Sequence, residues 1–148
     1  MKLGLTAMTL SLAVLAGCNT AGGSGQGVFI SQDSLQVLPS PTNPADFEVL
    51  QKAPNGATDY WCAAGEYARR KLGVGSTDKV YLRKPSGPSE FRVGRSSVGY
   101  TVQPSPDVQQ AGVAGGQRFT KSMSRVGENW GAESARSVCE LRAPRGFN

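Results

Sequence analysis

Histidine is missing from all 148 residues. Without imidazole there is no Ser-His-Asp or Cys-His catalysis, and most zinc sites lose a standard ligand. Cysteine is scarce, with only Cys18, Cys62 and Cys139. The chain holds eleven carboxylates. They are scattered, and three fall in the C-terminal stretch: Glu128, Glu133 and Glu140. A catalytic carboxylate pair must face across a cleft, and the sequence singles out no such pair. The Ca²⁺-loop pattern is also missing. The apolar run from Leu3 to Leu15 falls short of the roughly 20 residues a membrane-spanning helix requires. An enzyme built from this chain has to use carboxylates, Lys, Tyr or Ser, and no cofactor or metal is expected.

What is present begins at the N-terminus. Lys2 precedes the apolar run, and small residues close it, the pattern of a secretory signal. The run ends in Leu15-Ala16-Gly17-Cys18. This resembles the lipobox of bacterial lipoprotein precursors. The resemblance implies cleavage before Cys18, acylation of Cys18 and attachment to a membrane of the cell envelope. Asn19 follows the cysteine, and within that family a residue other than Asp favours the outer membrane. Two alternatives stay open beside it: an ordinary signal-peptidase cut after Ala16, and an uncleaved anchor.

An odd cysteine in an exported protein needs an explanation. If Cys18 carries lipid, Cys62 and Cys139 are left as an even pair in an oxidising compartment. Their bridge would close a loop of nearly eighty residues, worth about 4 kcal/mol in the chain-entropy picture. Two free buried cysteines are the alternative for a chain that stays in the cytoplasm.

Residues 1–17 therefore read as a signal peptide and 18–45 as a lipidated tether rich in Gly, Ser and Pro. Asn19 to Gly27 reads NTAGGSGQG, a flexible composition without the Lys-Ser/Thr ending of a phosphate loop. Val28 to Leu38 reads as a short strand or a surface segment. Pro39, Pro41 and Pro44 break regular structure. A single domain is expected over 46–148.

Within that domain, Phe47 and Val49 alternate as a strand. Thr58 reads as a helix cap and Asp59 suits the first turn. The helix is expected to reach Leu72 and stop at Gly73. On its wheel, Tyr60, Trp61, Ala64, Tyr67, Ala68 and Leu72 share one face. Cys62, Glu66, Arg69 and Arg70 lie on the other side, so the segment around Cys139 is expected to cross the outside of this helix. Val80 to Leu82, Val98 to Val102 and Phe119 to Val126 read as further strands, with Pro85 to Pro88 and Gly112 to Gly116 as loops. Gly131 to Val138 reads as a short helix. The expectation is an α+β fold: a small antiparallel sheet of about four strands, one main helix and a short C-terminal helix, stapled by one disulfide.

Two spacings resemble catalytic motifs. Ser76-Thr77-Asp78-Lys79 fits S-x-x-K, which requires a serine opening a helix; here a strand pattern follows and the companion motifs are missing. Tyr67 and Lys71 have Y-x-x-x-K spacing, without a dinucleotide fingerprint.

The formal charge is +5. Basic residues concentrate between 69 and 95. Arg69, Arg70, Lys79, Arg83, Arg92 and Arg95 form a candidate surface for an anionic ligand of the envelope. A solvated helix end and strand face would give the same pattern. Nucleic acid is disfavoured as a partner for an anchored envelope protein. The expected role is a membrane-anchored, non-catalytic binding or structural module. Two alternatives are an envelope enzyme or accessory subunit using carboxylate or Tyr/Lys groups, and an inhibitor or immunity-type lipoprotein presenting a rigid loop.

Overall fold

The computed structural model describes residues 27–116 and 118–142. Cys18 and the signal segment lie outside the described residues. The elements are β1 (Phe29–Ile30), β2 (Gln36–Pro39), β3 (Asp46–Leu50), α1 (Ala57–Arg70), β4 (Lys79–Pro88), β5 (Ser96–Thr101), α2 (Pro106–Gly115), β6 (Asn129–Gly131) and α3 (Ala132–Arg142). The strands form one antiparallel sheet in the order β1-β2-β3-β5-β4-β6. The fold is α+β as expected, with six strands where about four were anticipated.

The α1 helix begins at Ala57, one residue before the expected cap. Asp59 Oδ2 accepts the Gly56 amide at 2.7 Å, so the carboxylate two residues inside the helix satisfies a donor that no cap side chain reaches. Tyr60, Trp61, Ala64, Tyr67 and Ala68 pack on Val37, Phe47, Val49, Val80, Leu82, Val98 and Tyr100 of the sheet. Trp61 meets Tyr100 edge-on at 5.0 Å between ring centres, and Phe47 meets Tyr67 at 4.7 Å. Burying each of these large side chains contributes about 1.5–3 kcal/mol.

The opposite face of α1 carries α3. Cys62 is bonded to Cys139, with 5.3 Å between their Cα atoms, and Arg69 reaches Glu133 at 3.0 Å. The early residues of one helix thus meet the late residues of the other, and the pair is antiparallel. A Cβ on Gly65 would lie 2.5 Å from the Arg136 nitrogen and 2.8 Å from the Ala132 oxygen. Only glycine lets the two backbones approach so closely. As the wheel predicts, the Cys139 segment crosses the outer side of α1.

Four local expectations are corrected. Residues 29–39, included in the 18–45 tether although Val28 to Leu38 also reads as a short strand, join the sheet as β1 and β2; Leu35 and Val37 are fully buried, and that apolar gain outweighs the nearby prolines. Pro85–Pro88 is not a loop but the end of β4, which absorbs Pro85 through register shifts between Leu82 and Gly87, as bulges permit. Gly112 lies inside α2, where Ser105 caps by accepting the Val108 amide and Pro106 opens the helix. The Gly112 position closes against the Gly127 backbone.

The fourth concerns 119–126, which is not a strand. Phe119 is fully exposed, so its alternation carries no buried face. The segment follows the β4 edge by isolated bonds, Ser86 N to Met123 O at 2.7 Å and Leu82 N to Glu128 O at 2.8 Å. Glu128 folds it back by accepting both the amide and the hydroxyl of Ser122. The ladder resumes only at β6.

Candidate functional site

The six cations expected to share one surface are dispersed by the fold, and three of them, Arg69, Arg70 and Arg83, are paired with carboxylates. At the end of α1, Arg69 donates to Glu133 at 3.0 Å and to the Val74 carbonyl. Arg70 pairs with Glu66 at 2.5 Å, and the second Glu66 oxygen accepts the Gln32 amide at 2.8 Å. Arg136 of α3 joins Glu133 at 2.6 Å and Glu140 at 3.0 Å. The Arg136 hydrogen bond, supported by Arg69, holds the Glu133 carboxyl below its ordinary value. Gln32, Glu66, Arg69, Arg70, Glu133 and Arg136 line an open groove of about 610 Å³ between α1 and α3. Its three arginines are each paired to a glutamate, with Glu140 as the third acid beside the lining Glu66 and Glu133, so its chemistry is that of a helix–helix clamp.

Arg83 lies on the sheet face turned away from α1, 2.5 Å from Glu90 and 3.9 Å from Asp46. Beside it Glu48, with no exposed surface, accepts the Ser89 hydroxyl at 2.6 Å and the Glu90 amide at 3.0 Å, and stands 3.4 Å from Lys84 Nζ. Burial pushes the Glu48 pKa up, but the Ser89, Glu90 and Ser97 bonds and the Lys84 charge outweigh it, and the net direction is down. Glu128 behaves likewise: burial is overcome by bonds from Ser122 and Arg125. Both carboxylates are held ionised and fully engaged, the opposite of a general acid poised near neutrality.

The two catalytic spacings dissolve. Ser76 lies in a turn and Lys79 opens β4, so neither sits on a helix. Tyr67 is buried in the core, where its ring meets Phe29 and Phe47, and burial raises its pKa. Lys71 stands over the Phe29 ring at 5.7 Å. Asp33 Oδ2 lies 3.0 Å from Cys62 Sγ. With Cys139 these atoms have the spacing of a metal cluster, but the two sulfurs are spent on each other.

Lys79, Arg92 and Arg95 remain. Lys79 lines a cleft of about 240 Å³ with Tyr81, Gln109 and Asn129, between β4 and α2. Arg92 and Arg95 come from the β4–β5 loop. Arg95 lines a second cavity of about 300 Å³ with Ser34, Gln36, Leu50 and Lys52. Arg92 donates to Gln36 Oε1 at 3.3 Å on its rim. Among the described residues no ion pair involves Lys52, Arg92 or Arg95.

Sequence reasoning missed Lys52, Ser34 and Gln36. They lie about 40–60 positions from Arg92 and Arg95 along the chain, and no local pattern connects them.

Among the described residues no helix is long and apolar enough to cross a membrane. No protein-family model, no curated protein and no solved structure matches this chain.

Proposed function

We propose that the protein is a lipid-anchored cell-envelope lipoprotein whose disulfide-stapled domain is a non-catalytic binding module for an anionic envelope component. The lipid on Cys18 tethers it, with the outer membrane favoured by Asn19, and the domain faces the periplasm or the exterior. The observation that carries this reading is the Cys62–Cys139 bridge. A stable structural disulfide fits an exported chain, and it leaves Cys18 as the odd cysteine that acylation accounts for. The engaged state of Glu48, Glu128 and Glu133 supports binding over catalysis. The exposed cations Lys52, Arg92 and Arg95 support an anionic partner.

Fractionation of cells expressing the wild type and Cys18→Ser tests the anchor. The wild type is expected in the membrane fraction and the variant in the soluble periplasmic or secreted fraction; unchanged membrane retention refutes the lipid attachment. Crosslinking of the wild type in envelope fractions tests the binding role, and recovery of neither a glycan, a lipid nor a protein partner overturns it.

A further inference from the structure

We infer that the cavity between the β1–β2 turn, the end of β3 and the β4–β5 loop is a binding site for a phosphate monoester. It is the binding end of the module proposed above, yet it can fail while the anchor holds.

The cavity presents donors. Lys52 supplies an ammonium and Arg95 a guanidinium, and both line it. Ser34 adds a hydroxyl. Gln36 has its oxygen occupied by Arg92, which leaves its NH₂ group as the free end. The adjacent Asp33 carboxylate has an oxygen 3.0 Å from Cys62 Sγ, and Asp33 does not line the cavity. Two lining cations with a third on the rim, and among the described residues no carboxylate in an ion pair with them, repel one another until an anion arrives. Donors in excess of acceptors select a ligand made of acceptors. A phosphate monoester carries close to two charges and three acceptor oxygens, which matches two cations plus neutral donors better than a monoanionic carboxylate does. The volume of about 300 Å³ admits the phosphate and a compact polar group attached to it.

The donors are also held in place. Lys52 has its amide bonded to the Tyr60 hydroxyl at 3.1 Å, and its carbonyl accepts Asn55. Arg95 has its carbonyl bonded to the Ser89 amide at 2.8 Å, next to Gly94, whose φ of 75° suits glycine. Ser34 is fixed by its amide to Ser31 O at 2.9 Å, and the same turn is tied to α1 through Gln32 and Glu66. Gln36 lies in the β2 ladder. Three separate segments therefore hold the backbones of these cavity-lining residues in place, a preorganisation that lowers the ordering cost of binding.

The test uses the detergent-solubilised full-length lipoprotein and its melting temperature, at matched ionic strength, in inorganic phosphate, acetate and chloride. Ligand binding to the folded state raises the melting temperature by mass action. Phosphate is expected to raise it above chloride, and acetate to raise it less. Lys52→Ala and Arg95→Ala should each weaken the apparent phosphate affinity about tenfold, the double variant should abolish the effect, and Arg95→Lys should recover part of it.

Glucose 6-phosphate and short-chain phosphatidic acid, run against inorganic phosphate, then distinguish a soluble phosphate ester from a lipid headgroup; stronger binding of either supports the site. No rise with any phosphate probe, an equal rise with acetate, or full retention in the double variant overturns it. All four residues are solvent-exposed or half-buried, so the variants are expected to fold. Their unchanged membrane retention separates failure of the site from failure of the anchor.

Discussion

Gly65 of α1 and Ala135 of α3 lie so close that a Cβ on Gly65 would stand 2.7 Å from the Ala135 Cβ. The two helices touch backbone to backbone, and the clamp of Arg69, Glu133 and Arg136 closes over one end while Cys62–Cys139 closes the other.

Gly65→Ala should therefore destabilise the domain. Alanine gains about 1 kcal/mol in helix propensity over glycine. Against this, the added methyl meets two backbone atoms that cannot rotate away, and overpacking of this kind costs about 1–3 kcal/mol. A chemical-denaturation midpoint below that of the wild type is expected. A midpoint at or above it shows that the helices separate without penalty.

The staple should be measurable independently. Non-reducing peptide mapping is expected to find Cys62 joined to Cys139. The two cysteines are 77 positions apart, and in the entropy picture losing the bridge removes about 4 kcal/mol, although the mechanism is model-dependent. Comparing denaturation of the wild type with a Cys62→Ala/Cys139→Ala variant checks it, and equal midpoints would show that the α1–α3 contact alone holds the helix.

Acid should act through Glu48 and Glu128. Their folded pKa values are lowered below the ordinary value of 4.5. A group of this kind adds stability that is fully present above its unfolded pKa and is lost as pH falls through its folded pKa. Melting temperature should thus be flat around neutrality and fall below about pH 4.5. Glu48→Gln should cost about 2–3 kcal/mol at neutral pH, since Lys84 loses its buried counter-ion, and should flatten the acid limb. An acid limb as steep as that of the wild type would place the sensitivity elsewhere.

Tyr100 offers the opposite sign. Its hydroxyl is buried, and among the described residues it has no hydrogen-bond partner. Burial, with the Glu128 charge and Tyr60 nearby, pushes its pKa far up, so it stays neutral. Tyr100→Phe removes an unsatisfied polar atom while keeping the ring against Trp61 and Phe47. Stability equal to the wild type, or higher by up to about 1 kcal/mol, is expected. A clear fall in the melting temperature would mean that the hydroxyl has a partner after all.

The sequence by itself determined what short-range periodicity can carry. The 3.6-residue spacing of Tyr60, Trp61, Ala64, Tyr67 and Ala68 defines the buried face of α1 and leaves Cys62 on the other side, because a helix fixes the angle between neighbours. Alternation at Phe47 and Val49 and at Val98 and Tyr100 does the same for β3 and β5, and the cysteine count points to one bridge. Alternation failed at 119–126, where Phe119 stays exposed and Glu128 folds the segment back through Ser122, so that it meets the β4 edge only by isolated bonds. At 28–38 the sequence left a strand and a surface segment both open, and the pairing of β1 with β2 and of β2 with β3 decided for the strand.

Tertiary structure alone decided the close approach at Gly65, the seating of Glu48 under Ser89 and Glu90, and the use made of each cation. Arg69 and Arg83 are paired because Glu133, Glu90 and Asp46 from other segments fold against them, whereas Arg70 pairs with Glu66 one turn back on its own helix. Lys52 and Arg95 share a cavity without such partners. Charge is a property of single residues, but its availability depends on what the fold brings within a few ångströms.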